Sequence, residues 1–306
     1  MGECEVCVVG SANLDVVLGV AAIPGPGETV LARTRTSAPG GKGANQAVAA
    51  ARSGAATAFV AVTGADDAAQ VLRAELAQAG VALDALRTSA SPTGTAYVVV
   101  DEAGENTIVV EAGANRDLTN LLPGDVELAR RSRVVLCQLE VPEAAVAQAL
   151  AAAGGRSVLN AAPARPLPPA LLSSTDLLIV NEHEARIVAG LSGGAGTPEE
   201  AVPQLLEWVP EVIVTLGAAG ALVAARGAPP TRVPAVPARR VVDTTGAGDT
   251  FCGAFAAELA RGAGVLAAAR WGCAAASLAV ERPGAAVAVP SRAEVLARLG
   301  GPSERG

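Results

Sequence analysis

Two glycine-rich turns carry the densest chemistry in this sequence. One is Asp243-Thr244-Thr245-Gly246-Ala247-Gly248-Asp249, followed by an apolar run over residues 250–260. A turn of this kind opening a helix offers amide N–H groups that have no intrahelical acceptor, and such a terminus attracts anions. Gly246 and Gly248 let a phosphate come close to the backbone. Asp249 falls in the first helical turn and faces the same spot. A carboxylate beside an anion hole is electrostatically awkward unless it takes a proton from an attacking hydroxyl. The plain alternative is a capped helix with an acid at its positive end.

The second turn, Gly40-Gly41-Lys42-Gly43-Ala44-Asn45-Gln46, also opens a helix. It holds Lys42, the one lysine among 23 basic residues, the rest being arginine. A lysine kept in so arginine-rich a chain marks a place too tight for a guanidinium. Small amide and ammonium donors at a strand end suit a polyol; here the alternative is a bare helix start. Neither turn has the G-x-x-x-x-G-K-[ST] spacing of a phosphate loop. Nor does Val9-Gly10-Ser11-Ala12-Asn13 continue into the dinucleotide fingerprint G-x-G-x-x-G, which argues against a nicotinamide-dependent oxidoreductase. The single histidine, His183, excludes any mechanism that needs two.

A third set of polar residues sits where strands should end. Asn13 and Asp15 follow the first strand, Glu140 closes Gln138-Leu139-Glu140, and Asn181 and Glu184 open a helix. Ligands of open α/β sheets bind outside the carboxyl ends of the strands, so these residues could converge. Asn181 and Glu184 would serve equally well as helix caps.

Positioning such residues needs a frame. Short apolar runs bounded by turn residues predict strands over 6–9, 58–62, 134–137, 157–160, 177–180 and 212–216. Helical patterns lie between them, over 44–53, 68–79, 142–153 and 182–189. The alternation predicts an α/β fold, with a mostly parallel central sheet and helices on both faces (P-loop spacing aside, a doubly covered sheet), in a single domain over 1–306. Two segments break the rhythm. Residues 15–36 hold short runs around a Pro-Gly turn at 23–27. Residues 93–110 form a hairpin, with strands over 95–100 and 107–110 and a polar turn over 101–106. Together they predict a small antiparallel β lid over the carboxyl ends of the main sheet. Residues 229–237 read as a Pro-rich connector and 244–280 as nearly all helix.

Composition sets the outer limits. The 306 residues are 51% apolar but only 2% aromatic, so the core must be built from Ala, Val and Leu. A net charge of -7 offers no electrostatic footprint for nucleic acid or an anionic membrane surface. No apolar stretch is long enough for a membrane span, and the acidic start has no basic signal-peptide region, so a cytoplasmic protein is expected. Cys4, Cys7, Cys137, Cys252 and Cys273 are scattered and odd in number, which is no disulfide framework. Cys4 and Cys7 read as two buried strand cysteines on opposite faces, a poor pair for chelation.

These segments together resemble the ribokinase family of sugar kinases, from Gly10 to about Pro290. The two glycine motifs carry the likeness, joined by Asn13-Leu14-Asp15, Gln138-Leu139-Glu140 and Asn160-Ala161-Ala162-Pro163-Ala164. The resemblance implies ATP-dependent transfer of the γ-phosphoryl group to O5 of D-ribose. It implies sugar contacts from Asn13, Asp15, Gly41, Lys42, Gly43, Asn45 and Glu140. Asp249 becomes the catalytic base, which also touches the sugar, beside an anion hole of Gly246, Ala247 and Gly248. Asn181 and Glu184 would organise Mg2+ and its waters around the phosphates of ATP. Thr215, Leu216, Gly217 and Gly220 would form the nucleotide loop, with Gly248 and Cys273 completing the ATP site. A K+ activator site, mainly of carbonyls, would involve Asp243, Thr245, Ala279, Arg282, Gly284 and Ala288. Three positions depart from the family: Ala288 where a serine is frequent, Ala161 for proline, and Cys273 for histidine or asparagine. A homodimer paired through the lid is also implied. Other readings are a kinase for another small sugar or nucleoside (deoxyribose, fructose, adenosine) and a sugar-binding relative that has lost catalysis.

Overall fold

Alternation along β1 (Val6–Val9) decides the architecture. Val6 and Val8 belong to one apolar cluster, Cys7 and Val9 to another, and all four are fully buried. A strand that is apolar on both faces needs cover on both. The computed structural model describes residues 4–191 and 197–300 and supplies that cover with two layers of helices.

After β1 come β2 (Asn13–Gly19) and β3 (Thr34–Gly40), then α1 (Lys42–Arg52), β4 (Thr57–Thr63), α2 (Asp67–Gln78) and β5 (Leu86–Thr88). A hairpin follows, β6 (Gly94–Val100) and β7 (Asn106–Glu111). The chain then alternates through α3 (Pro123–Arg131), β8 (Val134–Cys137), α4 (Glu143–Ala152), β9 (Arg156–Asn160), α5 (Pro169–Ser173), β10 (Leu177–Asn181), α6 (Glu182–Val188), α7 (Pro198–Trp208) and β11 (Glu211–Thr215). It ends with β12 (Ala221–Ala225), β13 (Thr231–Val233), α8 (Ala247–Ala260), α9 (Val265–Ala279) and α10 (Arg292–Gly300).

The main sheet has the order β13-β12-β11-β10-β9-β8-β1-β4-β5. It is parallel from β5 through β11 and antiparallel only at β12 and β13. The mostly parallel sheet is the one expected. Three strands are additions to the sequence reading. β5 is too short to announce itself, β12 is Ala-rich, and β13 lies inside the segment read as a connector. From β1 the chain steps one way to β4 and later the other way to β8. The carboxyl ends of β1 and β8 therefore flank the point where an open sheet forms its crevice.

One helical layer, α1, α2, α8 and α9, packs on the face of Val6 and Val8; α3 to α7 cover the other. α8 is buried nearly all round and packs against both α1 and α9. With few aromatics available, these helices approach through Ala and Gly. A Cβ on Gly253 of α8 would sit 2.3 Å from the Gln46 carbonyl of α1. Phe251 and Phe255 stack within α8, with centroids 6.1 Å apart.

The small sheet has the order β3-β2-β6-β7. Two antiparallel ribbons, β2/β3 and β6/β7, are joined by a parallel pairing of β2 with β6. Its strands run past the expected bounds, so that β2 starts at Asn13 and β3 ends at Gly40, both beside the crevice. Every residue of β7 is exposed, Val109 to 64%. One expectation is corrected here. Cys7 is a buried strand cysteine, but Cys4 precedes the strand and is only half-buried, its Sγ 3.3 Å from the Val6 carbonyl.

Candidate active site

Both glycine turns are needed for their geometry. Gly41 caps α1 at a φ of 87°, and Gly246 caps α8 at 71°, values that L side chains resist. Gly40 is needed for space, because a Cβ there would lie 2.2 Å from the Asp15 carboxyl. The β2/β3 register thus sets Asp15 directly over the turn that bears Lys42.

The two turns meet across one cavity of about 150 Å³, at the carboxyl ends of the parallel strands. Its walls include Lys42, Asn181, Glu184, Thr215, Gly246, Gly248 and Asp249, all expected from sequence, together with Asn160 and Cys252, which were not. Asp249 is third in the helix, buried to 7% exposure, and both its oxygens accept hydrogen bonds. Asn45 Nδ2 donates to Oδ2 at 3.0 Å and Gln46 Nε2 to Oδ1 at 2.9 Å. Asn45 Oδ1 is buried with no partner among the described residues, an acceptor left over beside the Asp249 carboxylate.

Glu140 ties the crevice together. Its Oε2 accepts from Ser11 Oγ at 2.6 Å and from the Lys42 amide at 3.0 Å. Asn13 is held from outside the motifs, because Asn115 Nδ2 donates to Asn13 Oδ1 at 2.7 Å. Asn115, on the short turn Gly113–Asp117, had no signal in the sequence beyond being polar in a Gly-Ala context.

The charges confirm a shared field. Burial, then the carboxylates of Glu140 and Asp249, push Asp15 up to about 6, with Lys42 pulling the other way. Asp249, working against burial, holds the Lys42 ammonium above its usual value, aided by Glu140 and Glu184. Burial raises Glu184, which also senses Lys42 and Asp249. Cys252 is pushed well up by burial and by the same carboxylates, so its thiol stays protonated and weakly nucleophilic.

Asn181 and Glu184 form a reciprocal capping box on α6, with Asn181 Oδ1 accepting from the Glu184 amide and Glu184 Oε2 from the Asn181 amide, each at 2.8 Å. They are caps and cavity walls at once. In the expected anion hole, the Ala247 amide donates to Thr244 at 3.2 Å, while Gly248 has open space around it. Leu216 lies in the apolar core, Gly217 and Gly220 shape the turn between β11 and β12, and none of the three lines the cavity. Cys273 is buried on α9 within the core cluster and is likewise away from the cavity wall.

The segments expected to bind K+ do meet. Asp243 Oδ1 accepts from the Thr245 amide and Oδ2 from the Gly284 amide, and the Val242 and Asp243 amides reach the Val280 carbonyl. Ala279 receives the Arg282 amide, and Ala288 is buried with no side-chain oxygen to offer. Gly246 packs on Ala285, so this loop abuts the helix start that opens the cavity.

A buried carboxylate, a lysine and a helix N-terminus facing a crevice of an open α/β sheet are parts suited to moving a phosphoryl group onto a hydroxyl. Residues 4–292 match the pfkB family of carbohydrate kinases, and the chain belongs to that family. The ribokinase of Haemophilus influenzae is 37% identical over 299 residues, covering 94% of this chain and 96% of that one. The bifunctional ribokinase/ribose-5-phosphate isomerase A of Fructilactobacillus sanfranciscensis is 38% identical over 304 residues, which span 95% of this chain but 55% of that longer protein. Among solved structures, Arabidopsis thaliana ribokinase complexed with ribose and ATP superposes with a TM-score of 0.91 at 36% identity, over 97% of this chain and 98% of that one.

Proposed function

We propose that this chain is a ribokinase that transfers the γ-phosphoryl group of ATP to O5 of D-ribose. One observation carries the reading: Asp249 and Lys42, 207 residues apart in sequence, wall a single cavity together with the open amide turn at Gly248. The likeness to ribokinases over nearly the whole chain, one of them solved with ribose and ATP, supports the substrates.

Asp249 takes the proton of the attacking hydroxyl. Asn13, Asp15, Asn45 and Glu140 present acceptors to the remaining sugar hydroxyls, and the unpartnered Asn45 Oδ1 suits such a donor. The helix start at residues 246–249 receives the charge that builds on the migrating group. Lys42 lies close enough to Asp249 for the carboxylate to raise it, and it offers its ammonium to the phosphate. The small sheet acts as a lid that excludes water able to hydrolyse ATP.

The donor chemistry fits Mg2+, which keeps waters and takes one or two carboxylates plus substrate phosphates. Glu184 has one oxygen in the capping box and the other without a partner among the described residues, with Asn181 beside it. Held there, the ion would supply charge neutralisation on the phosphates. K+ would be held by carbonyls of the two loops that Asp243 joins. The protein would act in the cytoplasm; no helix among the described residues is long and apolar enough to cross a membrane.

A coupled ADP-release assay at fixed ATP, with ribose against deoxyribose, fructose and adenosine, tests the assignment. The highest kcat/KM is expected with ribose, and a preference for another acceptor would reassign the substrate. In the same assay K+ should give faster turnover than Na+; equal rates would remove the cation site.

A further inference from the structure

Asp249 is bonded to a chain of buried carboxamides that runs from Asn160 at the end of β9, through Gln46 on α1, to Gln138 just beyond β8. The Asn160 Nδ2 group donates to the Ile179 carbonyl of β10 at 3.1 Å, which turns Asn160 Oδ1 toward Gln46. A carbonyl and a carboxylate only accept, so Gln46 must present its NH2 group to both. Its Nε2 lies 3.0 Å from Asn160 Oδ1 and 2.9 Å from Asp249 Oδ1. Gln46 Oε1 is thereby turned away, and Gln138 Nε2 donates to it at 2.6 Å. Gln46 and Gln138 are fully buried. The polarity of every link follows from the fixed carbonyl at one end and is closed by Gln138 at the other.

Gln138 holds this place at a cost. Its Oε1 is buried without a partner among the described residues, packed where a Cβ on Gly10 would otherwise lie. A half-used carboxamide in a core destabilises relative to an apolar side chain of the same size. Stability therefore does not account for it, whereas donation to Gln46 does. We propose that Gln138 is a positioning residue for the phosphoryl transfer: by holding the Gln46 carboxamide in one orientation, it keeps the Gln46 N–H on Asp249 and the base aimed at the sugar hydroxyl. This rests on the sugar-kinase reading above. Gln138 touches no cavity wall itself and acts through Gln46.

Two variants of similar volume separate positioning from packing. Q138E sets an acceptor against Gln46 Oε1, and Q138M removes the donor. We expect kcat with ribose to fall about tenfold or more in Q138E, equivalent to about 1.4 kcal/mol or more of barrier, and less in Q138M, with KM for ribose within about twofold. A folded Q138E with the parent kcat would overturn the proposal. So would a raised KM at unchanged kcat, because Gln138 would then merely shape the turn that carries Glu140. A crystal structure of Q138E gives a readout that needs no turnover: loss of the Gln46–Asp249 hydrogen bond is expected, and its retention sinks the relay. A parent protein that phosphorylates no sugar would instead defeat the proposed function, leaving the crystallographic outcome to decide the relay. If Q138E does not fold, Q138M carries both measurements.

Discussion

Asp15 is a half-buried carboxylate with two others for neighbours, and it should report on both folding and binding. Its folded value of about 6 lies above the ordinary 3.8. Between those values the folded chain holds a proton that the unfolded chain has released, so stability falls as pH rises through that window. Above about pH 6 the full cost remains, up to roughly 3 kcal/mol. Asp15→Asn is therefore expected to stabilise the protein at pH 7.5, by up to about that amount, and to give no gain near pH 3.5, as measured by denaturant unfolding at each pH. The same variant should raise KM for ribose. Asp249→Asn keeps the volume but cannot take a proton, and kcat should fall by at least ~10². Near-parental turnover in that variant would remove Asp249 from the role of base. The glycine turns were readable from sequence because helix-start chemistry is local. Gln46, Gln138 and Asn160 were visible only as marks of family likeness, with no role attached. Their bonds to one another and to Asp249 span 92 to 203 residues, and only the folded chain joins them.

The packing of α8 against α1 is what brings Asp249 to Asn45 and Gln46. Gly253 sets their separation, since a Cβ there would also lie 2.6 Å from Ala49 Cβ and 2.9 Å from the Ala50 amide. Gly253→Ala must push the helices apart. A loss of about 1–3 kcal/mol is expected, together with reduced kcat; a variant of parental stability in thermal melts would show that the interface yields freely. At this scale the parallel strands were readable, because strands buried on both faces are continuous apolar runs. The antiparallel edge was not: β12 has two residues, Leu222 and Val223, larger than alanine. The parallel join of β2 to β6 was equally hidden, because it depends on strands separated by 74 residues and five intervening elements.

The small sheet leaves Ile108, Val109 and Val110 in solvent on an unpaired edge strand, a surface that invites pairing with another copy. If two small sheets pair as the family resemblance implies, Val109→Lys should convert a dimer to a monomer in light scattering. A parent that is already monomeric would reject the pairing. The segment that anchors this sheet to the main body also contains the chain's sole lysine. The other 22 of its lysine and arginine residues are all arginine. Acylating and reductive-alkylating reagents therefore have one side-chain target in the whole protein, and it forms part of the cavity wall. The extent of labelling at that nitrogen, separated by peptide mapping from labelling of the α-amino group, becomes a direct gauge of whether the crevice is filled.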